Sequence, residues 1–282
     1  PVNMRDILTP RIAVPNGKTP VVLTFDDARG TQFTLRKDNS LDPDCGLAIL
    51  IEFNKKHPDW PLRGSFYILP ESKYNPVPFY QKGKAEQKLR TLVDLGFEVA
   101  NHSTTHRMMA RLPARDLAWE MAECIRYVKK AAPKATMDTM ALPGGSVPRN
   151  SANLEVLLHG SDGLTQYDNL CILRAWGGPT LSPVHKKFDK REILRIGTEP
   201  GNVEAWINKL KPGAEMEPFV SDGDPNTVTV PRRIKDQLAV TGLEGLKINL
   251  IGPEKPVKLS PPKKKYQSSP KRMRTDHSAN LQ

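Results

Sequence analysis

Two acidic residues and two histidines have the types and spacing that suit a bound metal ion. Asp26 and Asp27 are adjacent, and His102 and His106 lie four residues apart. On a helix or a turn, a spacing of four places both imidazoles on one side, as a divalent cation requires. One carboxylate would complete a set of two histidines and one carboxylate that leaves positions open for water and a further ligand. The pattern predicts a site for zinc, iron, cobalt or manganese.

The second carboxylate of the acidic pair adds a chemistry to this site. A bound metal lowers the pKa of its water from about 15.7 toward about 7. A neighbouring carboxylate can then take the proton as a general base. Each motif also has an ordinary explanation, since a lone histidine pair is a weak signal and an Asp-Asp pair often forms a turn or caps a helix. Together they favour the metal site, because adjacent carboxylates are costly to desolvate without a cation.

The acidic pair, the first histidine and a Pro-Gly turn each follow a predicted strand. In parallel α/β folds, functional sites gather at the carboxyl ends of strands. We therefore expect these groups to share one edge of the sheet. The strands are residues 21–25 before Asp26, residues 97–101 before His102, and residues 137–142 before Pro143 and Gly144.

Strands and helices are predicted to alternate along the chain. The alternation, at intervals of about 30–45 residues, argues for stacked β–α units and a parallel sheet or barrel. The clearest helix has one continuous apolar face. Strands are predicted at residues 21–25, 64–69, 97–101, 137–142, 170–176, 219–220 and 246–251, and helices at 44–56, 84–95, 114–131 and 203–210.

The 282 residues can be divided into three parts. Residues 1–19 are rich in proline and polar groups and are predicted to be a lead-in strap. Residues 20–252 suit one α/β barrel, a fold of about 200–250 residues. Residues 253–282 are rich in proline, lysine and serine, which predicts a disordered tail.

The net charge of +11 is unevenly distributed. Residues 253–282 hold eight basic and two acidic side chains, which leaves a net charge of +5 for the rest of the chain. That mild charge does not predict a specific nucleic-acid surface on the body. The tail could contact anionic polymers, membrane headgroups or nucleic acid, and a solvated end is the simpler interpretation.

Cysteine usage and hydropathy argue against two further classes of protein, those held together by disulfides and those that span a membrane. Cys45, Cys124 and Cys171 are far apart and odd in number, which does not support a disulfide framework, and the last two have apolar neighbours typical of core residues. No apolar run approaches the roughly 20 residues of a membrane span. No signal peptide is visible, although the chain opens with Pro1, so that the natural start can lie upstream.

The motifs resemble those of the NodB-homology polysaccharide deacetylases, carbohydrate esterase family 4. Thr-Phe-Asp-Asp at residues 24–27 is similar to the first motif of that family, and His-Ser-Thr-Thr-His at 102–106 is similar to the second. Residues 64–68 resemble the family's second strand, and residues 96–101 resemble its lead into the histidines. The resemblance is firm over about the first half of the chain.

The resemblance implies a distorted (β/α) barrel of seven or eight strands. It also implies Asp26 as the catalytic base, with Asp27, His102 and His106 as ligands of a divalent metal. Zinc is the first choice, and cobalt, manganese or iron are alternatives. Metal-bound water would attack the amide carbonyl of an N-acetyl group, and the partner would be an N-acetylated glycan at an extracellular, periplasmic or cell-envelope location.

Substrate contacts are predicted at five positions. A backbone N–H near Phe66 or Tyr67 would hold the oxyanion together with the metal. Pro143 and Gly144 belong to the stretch that corresponds to the family's third motif. Trp176 lies at the end of a predicted strand and could stack on a sugar ring, although burial in the core is the commoner fate of tryptophan.

The sequence departs from the family pattern in two places. Ala141 stands where the family has an arginine that orients the base, and Gly144 stands where it has an aromatic residue. The late Leu-x-His motif, which supplies the general acid, has no match. Asp222 is a candidate for that role, with an ordinary turn as the alternative. His159 and His185, the later histidines before the tail, are predicted to lie in loops or a helix.

These departures leave four hypotheses open. The leading one is an N-deacetylase that acts on a cell-envelope or extracellular polysaccharide. The second is an amide hydrolase with a small non-sugar substrate, which Ala141 and the missing late histidine suggest. The third is a carbohydrate-binding or scaffold protein with a degenerate site, and the fourth gives the basic tail a role in nucleic-acid binding.

Overall fold

A parallel sheet of five strands, flanked by helices, forms the centre of the molecule. The computed structural model describes residues 1–70, 77–210 and 218–252. The strand order is β1-β2-β3-β4-β7, and the sheet curls into a half-barrel. The α/β class is confirmed, whereas a barrel of seven or eight strands is not, because the described part of this sheet has five. The strands are β1 (Thr24–Phe25), β2 (Ser65–Ile68), β3 (Glu98–Asn101), β4 (Met140–Ala141), β5 (His159–Ser161), β6 (Gln166–Asp168), β7 (Ile172–Leu173), β8 (Thr227–Pro231) and β9 (Lys247–Ile251).

The helices lie where apolar residues recur at helical spacing. Strands β2 and β3 are buried along their whole length, as parallel strands covered by helices must be. The apolar stripe predicted on the third helix is buried at Leu117, Met121, Cys124, Ile125 and Val128. The helices are α1 (Gly46–Lys56), α2 (Ala85–Asp94), α3 (Ala114–Ala131), α4 (Ser151–Leu158) and α5 (Asn202–Lys209).

The first residues of the chain pack against the amino ends of the central strands. The Asn3 side chain accepts from the Gly64 N–H and donates to the Gly96 carbonyl, at 2.9 and 3.1 Å. The Met4 N–H donates to the Ser65 hydroxyl at 3.0 Å, and Met4 is 2% exposed. These bonds satisfy polar groups that the sheet leaves unpaired at this edge. The carboxyl edge of the sheet therefore remains the accessible one.

A buried lysine supports the loop that follows β1. The Lys88 ammonium donates to the carbonyls of Phe33 and Phe79, at 2.6 and 3.2 Å. The Phe79 N–H in turn donates to the Ala28 carbonyl at 2.6 Å. Burial lowers the pKa of Lys88 to about 8. This network fixes the backbone directly after Asp26 and Asp27.

The second half of the chain agrees with the prediction at α5 and β9 and in part at β7, but it differs elsewhere. Residues 219–220 do not form a strand, because the Phe219 carbonyl accepts from the Thr19 hydroxyl and Ser221 bonds Val14, so that this segment docks on the first residues of the chain. The late pair is instead β8 with β9, which are parallel. Helix α4 and the β5–β6 hairpin were not predicted.

Two expectations about composition are met. All three cysteines are buried and free, as predicted from their spacing. Within the described residues, no helix has the length and apolar character needed to cross a bilayer. The basic tail of residues 253–282 lies outside the described residues, so its predicted role stays a prediction.

Candidate metal centre

The predicted ligands converge at the carboxyl edge of the sheet. Oδ1 of Asp27 lies 3.2 Å from Nε2 of His102 and 3.2 Å from Nε2 of His106. Ligands held about 2.0–2.2 Å from one cation at tetrahedral angles are about 3.4 Å apart. The ligand atoms of these three residues all lie within 4.8 Å of one another. The arrangement therefore fits one divalent cation, as the spacing of the two motifs predicts.

The orientation of His102 suits metal binding. Its Nδ1 lies 2.8 Å from the Ala141 carbonyl, and the side chain is 2% exposed. Because a carbonyl oxygen can only accept, Nδ1 must carry the hydrogen. In the neutral ring, Nε2 then presents its lone pair to the site, which is the usual arrangement of a metal-binding histidine.

A buried glutamate on α3 holds the loop between the two histidines. The Glu120 carboxylate accepts from the backbone N–H groups of Thr104 and Thr105, both at 2.8 Å, and from the Thr105 hydroxyl. The Glu120 carbonyl accepts from the Thr104 hydroxyl at 2.8 Å. Glu120 itself is 0% exposed. This one side chain therefore sets the path of the backbone from His102 to His106.

The backbone at the site is strained. Asp27, Ala28, Ser103 and His106 have φ values of 70°, 47°, 65° and 62°, in the left-handed region that residues with a side chain rarely adopt. Such a conformation costs on the order of 1–3 kcal/mol per residue and persists only where the surroundings enforce it. The Ser103 hydroxyl accepts from the His106 N–H at 3.1 Å, which is one such restraint.

We expect Glu120→Gln to weaken metal binding. The amide cannot accept all the bonds that the carboxylate accepts, so the strained loop loses its restraint. Loss of such an outer contact typically costs roughly 10- to 100-fold in metal affinity. Titration calorimetry with Zn²⁺ measures the effect. Glu123→Gln, on the same helix but directed at Arg126 on the outside, is the matched control. An unchanged affinity for Zn²⁺ in Glu120→Gln would contradict the assignment.

The second oxygen of Asp27 is held by an arginine. Nε and Nη2 of Arg29 donate to Asp27 Oδ2 at 3.0 and 2.9 Å. This contact turns Oδ1 toward the two histidines. The hydrogen bonds from His102 and His106 hold the pKa of Asp27 far below its usual range, against the opposing effect of burial. The Asp27 side chain is therefore a carboxylate at physiological pH.

The other carboxylate, Asp26, has a partner that the sequence did not indicate. Nη1 and Nη2 of Arg195 donate to the two oxygens of Asp26 at 2.8 and 2.7 Å. Burial alone would raise the pKa of Asp26, but His102 and Arg195 outweigh it and lower that pKa. Burial likewise opposes protonation of His102, and the two aspartates outweigh it and raise its pKa. No motif spacing links residues 26 and 195, so only the structure reveals this pair.

Two predicted substrate contacts are contradicted by burial. Phe66 and Tyr67 are both 0% exposed. The Phe66 ring stacks on Phe25 with 4.4 Å between ring centroids, and the Tyr67 hydroxyl bonds Thr139 at 3.3 Å. Both residues also pair with β3 inside the sheet. Their side chains cannot reach a substrate, because strand β2 is covered on both faces.

The Pro143–Gly145 turn lies beside the histidine loop. Gly144 has a φ of 56°, and a Cβ on it would lie 3.2 Å from the Met108 sulfur. The positive φ favours glycine at this position, whereas the Met108 side chain could move to admit a Cβ. The Gly144 N–H makes no hydrogen bond to any residue within the described ranges. A backbone donor therefore remains available in this turn.

Trp176 extends from the loop after β7 and is 62% exposed. The neighbouring Ala175 meets the Pro143–Gly145 turn, since a Cβ on Gly145 would lie 3.1 Å from the Ala175 Cβ. Burial in the core, the commoner fate of a tryptophan, is therefore excluded for Trp176. Its ring is available at the carboxyl edge of the sheet.

The candidates for a general acid lie elsewhere. The Asp222 carboxylate accepts from the hydroxyls of Thr227 and Thr229 in the segment that docks on the first residues of the chain. His159 lies on β5, where its ring is 2.7 Å from Asp168, and His185 pairs with Gln237 at 3.2 Å. In the described parts of the chain, none of the three contacts the metal ligands, so the structure does not bring Asp222 into the site as predicted.

Comparison with known proteins connects this geometry to a family. The polysaccharide deacetylase model matches residues 64–158, which include both histidines. The chitooligosaccharide deacetylase of Sinorhizobium fredii is 26% identical over 209 residues, 74% of each chain. The Streptococcus pyogenes deacetylase PplD, solved in complex with acetate, is 14% identical over 68% of this chain and 70% of its own, with a TM-score of 0.46.

A second solved structure is a carbohydrate esterase family 4 pseudoenzyme from Bacillus anthracis. It is 21% identical over 50% of this chain and 40% of its own, with a TM-score of 0.35. The chain spans less than two thirds of the length of several solved chains that it matches. The chain is thus similar to polysaccharide deacetylases over residues 64–158, which include the second of the two motifs that carry the predicted resemblance.

Proposed function

We propose that this protein is a metal-dependent hydrolase that removes N-acetyl groups from a polysaccharide or an amino sugar. The observation that carries the proposal is the convergence of Asp27, His102 and His106 on one point, with the Asp26 carboxylate beside them. A cation held there would polarise the amide carbonyl and make a water molecule more acidic. The relatives named above support a glycan as the substrate.

Asp26 is the proposed general base. Its Oδ2 lies 4.0 Å from Nε2 of His102, so that it borders the position between the three ligands. Its side chain is 27% exposed, which leaves an approach for water from the carboxyl edge. An ionised carboxylate at this place can take the proton of the attacking water.

Two further groups are proposed to hold the substrate. The Gly144 N–H, which has no hydrogen-bond acceptor among the described residues, replaces Phe66 and Tyr67 as the backbone donor for the developing oxyanion, because these two residues lie within the sheet. The exposed Trp176 ring would stack on a sugar face. Pro143 shapes the turn that presents Gly144, which is its proposed part in binding.

The cation is proposed to be zinc. Two imidazoles and one carboxylate, without a thiolate, suit zinc and equally admit cobalt, manganese or iron. An extracellular, periplasmic or cell-envelope location follows from the proposed polymer substrate.

The test is acetate release from N-acetylglucosamine oligomers and other N-acetylated glycans by the Zn²⁺-loaded protein. We expect turnover that is lost after EDTA treatment and returns when Zn²⁺ or Co²⁺ is added back. Protein treated with EDTA and then given Mg²⁺ is the control, because Mg²⁺ prefers oxygen ligands. The absence of acetate release from every glycan tested would overturn the proposal.

One observation favours a second candidate. Asp222, His159 and His185 all have other partners, so that none of these candidates supplies a general acid to the site. A weak acid function would suit a glycan-binding protein with a degenerate site, or an amide hydrolase with a small non-sugar substrate. Tight Zn²⁺ binding without turnover selects the first, and hydrolysis of small amides alone selects the second.

A further inference from the structure

We propose that Arg195 is the positioning residue for Asp26 and takes over, from a different part of the chain, the role that Ala141 cannot perform. The inference rests on the proposed function, because it assigns a partner to the general base. It concerns a segment outside residues 64–158, the part that matches the family model.

The contact between the two side chains fixes both of them. Arg195 donates to each oxygen of Asp26, in the two-pronged geometry that guanidinium and carboxylate share. Its Nη1 also donates to the Thr24 hydroxyl at 3.2 Å, and its Nε donates to the Arg174 carbonyl. The Arg195 side chain is 11% exposed. Because the guanidinium donates to acceptors on three residues, its orientation is fixed. The Asp26 carboxylate that it binds is held in one orientation as well.

The backbone that carries Arg195 extends the sheet. Ile193 forms a parallel bridge with Leu173 at the free edge of β7, and the Arg174 N–H donates to the Ile193 carbonyl at 2.8 Å. Asp26 follows β1, at the opposite edge of the five-stranded sheet. The ion pair of Arg195 with Asp26 therefore joins the two edges of the sheet across the open side of the half-barrel. Arg195 comes from the β7 edge and Asp26 from the β1 edge.

Position 141 itself has no room for an arginine. Ala141 is 0% exposed and packs with Tyr67 and Leu173 in a small buried cluster. Its carbonyl already holds His102. An orienting cation must therefore approach Asp26 from elsewhere, and Arg195 does so. An alanine at position 141 is therefore compatible with a positioned Asp26 carboxylate.

Kinetics of Arg195→Ala test the proposal against a purely structural ion pair. We expect kcat for acetate release to fall by about 100-fold, the scale of a misplaced catalytic group, with KM changed little. Added guanidinium at non-denaturing concentration should restore part of kcat, and calorimetric Zn²⁺ affinity should be unchanged. Arg195→Lys keeps the charge but loses the bidentate guanidinium, so its kcat should lie between those of the wild type and Arg195→Ala.

Arg174→Ala is the matched control, since the Arg174 side chain pairs with Glu192 and only its carbonyl touches Arg195. It should keep wild-type kcat and show no response to guanidinium. A wild-type kcat in Arg195→Ala would overturn this inference but not the proposed function. So would a loss of kcat that guanidinium does not rescue and that is equally large in Arg195→Lys. If Arg195→Ala does not fold, the kcat of Arg195→Lys tests the inference: a value below the wild type supports it, and a wild-type value contradicts it. An inactive wild-type protein would overturn the proposed function as well.

Discussion

Asp26→Asn is expected to lower kcat for acetate release by about 10²- to 10⁴-fold while Zn²⁺ stays bound. The range is that of a lost general acid or base. The amide keeps the shape of the side chain, but it cannot take a proton from water. Because Asp27, His102 and His106 are the proposed ligands, calorimetric Zn²⁺ affinity should change little. Steady-state kinetics and metal analysis of the same preparation measure both quantities.

Asp222→Asn is the matched substitution for this test. Its carboxylate bonds Thr227 and Thr229 away from the metal ligands, so kcat should remain at the wild-type level. A comparable loss of kcat in Asp222→Asn would restore Asp222 as a candidate general acid. Wild-type kcat in Asp26→Asn would remove Asp26 as the base.

His106→Ala is expected to abolish stoichiometric metal binding and, with it, acetate release. His106 is the better ligand to remove, because its side chain is 33% exposed whereas that of His102 is 2% exposed. Truncation of a partly exposed side chain leaves the core intact. Zn²⁺ affinity should fall by more than the roughly 10- to 100-fold that an outer partner costs. Metal analysis after dialysis and the melting temperature of the metal-free protein check this expectation.

His159→Ala provides the control for metal binding by surface histidines. His159 is exposed on β5 and pairs only with Asp168 among the contacts described above. It should retain one bound Zn²⁺ per chain and full activity. Retention of one tightly bound Zn²⁺ in His106→Ala, or its loss in His159→Ala, would contradict the proposed ligand set.

The proposed ligands and the proposed positioning arginine differ in how strictly geometry constrains their place in the sequence. A metal ligand must lie at bonding distance from one point, so Asp27, His102 and His106 admit little change. A positioning arginine only has to place its guanidinium in bidentate contact with Asp26, and it can come from any segment that reaches that carboxylate. In this chain position 141 is an alanine, and the arginine that binds Asp26 is at position 195.

Local pattern was sufficient to predict the first half of the fold and the meeting of the three candidate ligands. The apolar stripe of α3 has a period of 3.6 residues, and its predicted bounds agree with Ala114–Ala131. The acidic pair and the His102–His106 pair each follow a strand of one parallel sheet, so their meeting follows from topology. Such features depend on short-range spacing, which a sequence displays directly.

Only the tertiary structure decided which distant groups complete the site. Arg195 reaches Asp26 because a late segment extends the far edge of a curled sheet, and Glu120 reaches the histidine loop because α3 packs beneath it. Phe66 and Tyr67 were excluded as substrate contacts by burial on both faces of β2. These contacts join residues far apart in sequence, and their distances depend on the packing of the whole chain. No local spacing encodes them.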